Sequence, residues 1–306
     1  MALTEYLATE VALDHVEGHL SRREALHKLG LLGLSAAAAS TLLTACAAET
    51  APPASAPTPA PSAAASSAAA GPTAAPDYDV PAALARAQQI QFPGGTGALS
   101  GSFAQADNAK GAVLVIHENR GLTDHIKAVG GRLAGDGYTS LAPDLLSRGG
   151  GTGGVPDATA ALGGISTPDL VTDIRSALDE LKSRVSGVKL GMVGFCFGGG
   201  MTWQTLNSGP SDLAAAVPFY GPAPDAPTFS GSQAAVLGVF AEKDARVNAG
   251  KDKLEAALTT AGLTHELVTV PGVDHAFFND TGPRYNAKAA AEAWEALLDW
   301  YQKHLT

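Results

Sequence analysis

Two cysteines in 306 residues, Cys46 and Cys196, rule out a disulfide framework. Charge is scarce at 16%, and acidic residues outnumber basic ones thirty to twenty. The formal charge of −10 argues against a nucleic-acid partner. The glycine run at 149–154 is followed by no Gly-Lys-Ser/Thr and by no helical pattern, so it reads as a flexible loop and not as a phosphate cradle. The histidines and the single core cysteine are scattered without zinc spacing, so no metal ligand is assigned. Internal repeats are missing. Only one apolar run, 29–45, approaches the lower length limit for crossing a membrane, and its Ala and Ser make it weakly apolar.

That run belongs to a first quarter that does not read as globular. Ser21, Arg22 and Arg23 open a charged stretch, the apolar run follows, and Leu43-Thr-Ala-Cys46 closes it. This order describes an export signal of the twin-arginine type, residues 1–46. Its end resembles a bacterial lipobox, which implies cleavage before Cys46 and lipidation of that sulfur. The alternative is an uncleaved signal anchor. Residues 47–76, almost entirely Ala, Pro, Ser and Thr, lack the apolar surface to fold and read as a tether. The expected product is an exported lipoprotein at the outer side of the cytoplasmic membrane or in the periplasm. Its catalytic domain is residues 77–306.

Within that domain, apolar runs at 111–116, 138–143, 188–195, 213–220, 235–241 and 265–270 read as strands, and their continuous Val, Leu and Ile suit a sheet covered on both faces. Between them lie helical patterns. In 168–184, Thr167 is the candidate cap, Pro168 suits the first turn, and Leu170, Ile174, Leu178 and Leu181 form one apolar stripe. Further helices are expected at 198–207, 248–261 and 287–304. Strand and helix alternate, which predicts an α/β fold with a doubly wound, mostly parallel sheet and helices on both faces.

Ligands gather at the carboxyl ends of such strands, so the residues that follow each run carry the chemistry. The stretch GFCFGGG at 194–200 sets Cys196 at a strand-to-helix turn flanked by glycines. G-x-C-x-G is the thiol form of the nucleophile elbow. A lone buried cysteine more often simply packs as a small hydrophobe. Yet Cys196, Asp244 and His275 each follow a strand and occur in the order nucleophile, acid, histidine, which is the α/β-hydrolase order. The imidazole would take the thiol proton, Asp244 would fix its tautomer, and the thiolate would attack a carbonyl carbon.

Taken together, HENRGL, PDLLSR, GFCFGG, the Asp244 region and DHAFFND resemble the dienelactone hydrolase family (carboxymethylenebutenolidases) over about residues 88–304. The resemblance implies the α/β-hydrolase fold and a cysteine hydrolase of small lactones or esters that needs no cofactor. It implies that Glu118 contacts the resting thiol and releases it when substrate binds. It also implies backbone donors at Phe197 and Asn119 for the oxyanion, a role that elbow geometry supports for Phe197. His117, one residue before Glu118, points to the other face of its strand and reads as a packed histidine. Arg148 matches an arginine that holds a substrate carboxylate in family members that take dienelactone. A second such arginine is replaced here by Asn279, and Arg284 lies nearby without aligning, which points to a different or broader ester range. Trp203 and Phe197 either line the pocket or pack the elbow helix. A monomer acting on a small molecule is expected, with the membrane met only through the lipid anchor. Two rival readings are a non-catalytic or redox-sensing lipoprotein and a thiol peptidase. The complete triad weighs against the first, and the lack of an inserted domain against the second.

Overall fold

The computed structural model describes residues 3–49, 78–209 and 211–306, so the tether read at 47–76 lies, beyond Glu49, outside the described residues. The first quarter is helical: α1 (Leu3–Val16), α2 (Arg22–Leu31) and α3 (Ala36–Glu49). There follow α4 (Val80–Arg86), β1 (Gln88–Pro93), β2 (Ala98–Ala104), β3 (Gly111–Ile116), α5 (Asp124–Gly135), β4 (Tyr138–Asp144), α6 (Ala158–Gly163), α7 (Thr167–Arg184), β5 (Leu190–Phe195) and α8 (Phe197–Asn207). The chain ends with β6 (Leu213–Phe219), β7 (Ala235–Ala241), α9 (Ala245–Asn248), α10 (Lys251–Ala261), β8 (His265–Val270) and α11 (Ala287–Leu305).

The eight strands form one sheet in the order β1-β2-β4-β3-β5-β6-β7-β8, parallel from β4 to β8 and antiparallel at the β1 and β2 edge. That edge hairpin escapes a hydrophobicity reading because β1 is QQIQFP and β2 is built of small residues. Residues three apart on a strand point to opposite faces, and β5 shows which helices lie where. A methyl on Gly191 would meet Leu305 and Tyr301 of α11, whereas one on Gly194 would meet the backbone of α8. α5 joins α11 on its face, where Trp294 Nε1 donates to Asp136 at 3.1 Å, and α7 packs with α8 on the other. The stripe Leu170, Ile174, Leu178 and Leu181 is buried as its spacing predicts, although the cap of α7 is Ser166, whose hydroxyl accepts from Asp169 N at 3.2 Å, and not Thr167.

Two expectations about loops and the N-terminus change. The glycine loop after β4 is pinned: Thr152 N–H and hydroxyl donate to Asp144 at 2.7 and 2.9 Å. The N-terminal segment is folded onto the rest of the molecule: Tyr6, Leu7, Val11, Ala25, Leu29 and Leu43 are buried in one apolar cluster continuous with that of the sheet, and the segment rests on α6 through Lys28–Asp157 and Thr4–Gly163. Composition alone does not reveal this, because its apolar run is split between α2 and α3. No helix among the described residues is long and apolar enough to cross a membrane.

Packing of α8 on the sheet depends on glycine. A Cβ at Gly198 would lie 2.6 Å from His117 O and closer still to Ile116 O, backbone that cannot move without dragging β3. Gly198→Ala is therefore expected to lower stability by about 1–3 kcal/mol or more in thermal unfolding. Gly153→Ala, with open space around it, should change stability by less than about 0.5 kcal/mol.

Candidate active site

Strands β3, β5, β7 and β8 lead into Glu118, Cys196, Asp244 and His275. After β5 the chain turns at Cys196 with φ 57° and ψ −116°, a left-handed backbone in which a non-glycine residue is strained by roughly 1–3 kcal/mol. The surroundings enforce it. Cys196 N–H donates to Phe219 O at 3.1 Å, Gly200 N–H donates to Cys196 O at 3.0 Å, and Gly198 and Gly199 press against the carbonyls of Ile116 and Phe219. The sulfur is thereby held at the start of α8, beside the open N–H groups of that helix's first turn, to which Phe197 belongs.

After β7, Asp244 caps α9 through Oδ1, which accepts from Val247 N at 3.2 Å, and its Oδ2 meets His275 Nδ1 at 2.5 Å. Capping fixes the carboxylate, and the carboxylate fixes the imidazole with Nδ1 as donor and Nε2 turned towards the sulfur. A nitrogen of His275, the sulfur and a carboxylate oxygen of Glu10 all lie within 4.8 Å of one another. The ring of Tyr220 stands edge-on to His275 at 5.0 Å between centroids. The structure thus brings Cys196, Asp244 and His275 together.

Other candidates fall as follows. Glu118 is buried and its Oε2 accepts from Asn279 Nδ2, while the sulfur's hydrogen bond, 3.2 Å long, is with the hydroxyl of Tyr6. The direct contact with the resting thiol that resemblance assigns to Glu118 is taken by Tyr6. Glu118, Asn119 and Asn279 line the cavity beside Cys196, and Asn119 O accepts from Thr159. His117 is packed: Nδ1 donates to Glu118 O at 2.7 Å, Nε2 accepts from Leu145 N–H at 3.2 Å, and burial lowers its pKa, so it is neutral. Phe197 stacks on that ring. Trp203, offered as a substrate contact, is fully buried against Phe229 and Gly238 and belongs to the core. Arg148 likewise leaves the substrate role. Its guanidinium bonds buried Asp173 at 2.9 Å and Thr96 at 2.6 Å and approaches Asp169 at 3.5 Å, and it does not line the cavity at Cys196.

Residues that the sequence reading left out surround the sulfur from α1. Tyr6, Glu10 and Asp14 recur every four residues on one helix face, a periodicity that was available as a signal. Glu10 pairs with Arg246, whose guanidinium lies 4.5 Å over the Tyr6 ring, and its Oε2 is 3.6 Å from His275 Nε2. Arg284 holds Asp14 and Glu17, each at 2.6 Å. Glu10, Cys196 and His275 also form a convergent oxygen, sulfur and nitrogen donor set of the kind zinc accepts, which linear spacing could not show.

Electrostatics follow from these contacts. Burial opposes an imidazolium at His275, but the carboxylates of Glu10 and Asp244 outweigh it and raise the pKa well above the usual histidine value. Burial, then Glu10, push the Cys196 thiol up against the pull of His275, with Glu118 adding a smaller push. Asp244 and Glu10 stay below the ordinary carboxylate range, since their cationic partners overcome the cost of burial. The resting site is therefore a neutral thiol beside an imidazolium flanked by two carboxylates.

The model of the dienelactone hydrolase family matches residues 99–305. The chain belongs to that family. A Saccharolobus solfataricus protein named "Putative carboxymethylenebutenolidase" is 32% identical over 66% of this chain and 92% of its own length, and an Escherichia coli K12 protein of the same name is 28% identical over 65% and 79%. Among solved structures, one from Klebsiella pneumoniae called a "Putative Dienelactone Hydrolase" superposes with a TM-score of 0.64 at 26% identity, covering 71% of this chain and 98% of that one. Dienelactone hydrolase family membership makes the chain an α/β-hydrolase that acts on carboxylic ester or lactone bonds.

In this member of the family, Arg148 supports the fold. Arg148→Ala should lower stability by about 1–2 kcal/mol, because Asp173 keeps its bonds from Thr96 and the guanidinium is a third exposed. Turnover of carboxylated and neutral esters should then fall equally. A loss confined to carboxylated substrates would return Arg148 to the substrate.

Proposed function

We propose that the chain is a cysteine hydrolase of small lactones and esters working through Cys196, His275 and Asp244. The observation that carries this reading is the strained elbow at Cys196 facing an imidazole whose other nitrogen is held at 2.5 Å by a buried carboxylate. In its neutral form His275 takes the thiol proton at Nε2 and the thiolate forms a bond to the carbonyl carbon, while the carbonyl π electrons move to oxygen. Backbone N–H groups of Phe197 and Asn119 receive that oxyanion. As the carbonyl re-forms, the C–O bond to the leaving oxygen breaks and the imidazolium protonates it. In a lactone this oxygen stays attached to the acyl group. Water, deprotonated by His275, then cleaves the thioester and restores the thiol. Glu118 and Asn279 line the space the substrate enters.

We also propose export by the twin-arginine route, supported by the solvent exposure of Ser21, Arg22 and Arg23, with lipidation at Cys46 and action as a monomer. The retained triad favours an enzyme over a redox-sensing lipoprotein, and among the described residues no inserted domain interrupts the strands and helices of the fold, which disfavours a peptidase.

Hydrolysis of aryl esters and lactones should drop to near background in Cys196→Ala and His275→Ala, with Asp244→Ala about tenfold to hundredfold less severe. Iodoacetamide should abolish turnover and EDTA leave it unchanged. Activity retained by Cys196→Ala, or lost to EDTA and restored by a divalent metal, would overturn the mechanism.

A further inference from the structure

From the geometry of α1 we infer that the N-terminal helix is an intramolecular inhibitor that occupies the active site of the full-length chain. This rests on the hydrolase reading above for what is inhibited, but the contacts themselves do not depend on it. Three observations converge. First, the cavity left beside Cys196 is about 60 Å³, room for a few waters, whereas sites for small organic ligands start near 300 Å³. A neighbouring space of about 400 Å³ between α1 and α8 is lined by Tyr6, Phe197 and Met201, and the hydroxyl of the same Tyr6 contacts the sulfur. Removing α1 would vacate the room that Tyr6 and Glu10 fill beside Cys196.

Second, α1 and Glu17, the residue that follows it, satisfy the cations of the site. Glu10 binds Arg246 and faces His275, and Asp14 and Glu17 bind Arg284, whose Nη1 also donates to His275 O at 3.3 Å. Glu10 thus stands where the thiolate would otherwise be the anion balancing His275. An imidazolium held by that carboxylate already carries a proton on each ring nitrogen and has no lone pair left for the sulfur's, so the thiol stays protonated.

Third, α1, α2 and α3 pack against one another and precede a candidate cleavage point. Cys46 is buried near the end of α3. Cleavage before Cys46 would sever these helices from the hydrolase domain. While attached, the chain supplies an effective concentration on the order of millimolar, so contacts of modest strength keep the site closed. Once cut, the same contacts become bimolecular and the helix dissociates. The hydrolase would be latent before processing and active after it.

The test uses the uncleaved full-length chain. Tyr6→Ala/Glu10→Ala is compared with wild type for alkylation of Cys196 by iodoacetamide, followed by peptide mass spectrometry so that Cys46 is counted separately, and for hydrolysis of p-nitrophenyl acetate. Tyr6→Phe and Glu10→Gln serve as milder variants if the double variant does not fold. Alkylation should accelerate by about tenfold in the double variant, as loss of a hydrogen bond and a charged contact implies, and hydrolysis should rise with it. A synthetic peptide of residues 3–20 added to that variant should slow both again. Unchanged or slower alkylation in the double or in both milder variants would overturn the inhibitor and make α1 part of the working site. Faster alkylation without hydrolysis would keep the inhibitor and reject the hydrolase reading. Brisk wild-type hydrolysis that no variant alters would do the reverse.

Discussion

The left-handed backbone at Cys196 is the constraint on which the rest of the site depends. A cysteine adopts that conformation only where neighbours over-determine it, and here the neighbours are β3, β5 and β6 on one side and the glycines of α8 on the other. Close approach of α8 to the sheet needs Gly194, Gly198 and Gly199, and the same closeness puts the sulfur at the helix N-terminus. Strain is thus stored in backbone geometry by packing. What varies is charge.

Charge is organised around His275. Asp244 holds one ring nitrogen and is itself held as the cap of α9, so the imidazole has one orientation. The second nitrogen meets either a sulfur that becomes a thiolate or, with α1 in place, Glu10. Two anions compete for one cation in a buried site, where such competition is far stronger than in water. The nearby arginines decide which anion wins. Arg246 and Arg284 fix the acidic face of α1 and leave the thiol as the uncharged member.

Much of this was legible in the sequence, and the exceptions have physical causes. Apolar runs mark the five buried strands β3 to β7 because both faces of a parallel sheet are covered, and they also mark β8, an edge strand that stays largely exposed, whereas the edge hairpin of β1 and β2 is polar or small and leaves no hydrophobic trace. Cys196, Asp244 and His275 stand out because each ends a strand, and strand ends are where such folds keep their chemistry. Arg148 misleads, since its partners Asp169 and Asp173 sit on a helix that linear spacing does not relate to it. Trp203 misleads because an aromatic two turns into the elbow helix can face either cavity or core. Tyr6 is 190 residues from the sulfur it touches, and its segment has the composition of an export signal, which needs no buried face of its own. Nothing local distinguishes a helix that is discarded from one that first docks.

The direct measurement is mass spectrometry of the wild-type chain and of Tyr6→Ala/Glu10→Ala, quenched in acid during turnover of an aryl ester and then mapped by peptide. A thiol nucleophile requires the mass of the acyl group on Cys196, most abundant in the variant whose site α1 no longer fills, accumulating further when deacylation is slowed, and missing when Cys196→Ala is added. Turnover with no adduct on Cys196, or with the acyl group on another residue, would contradict it.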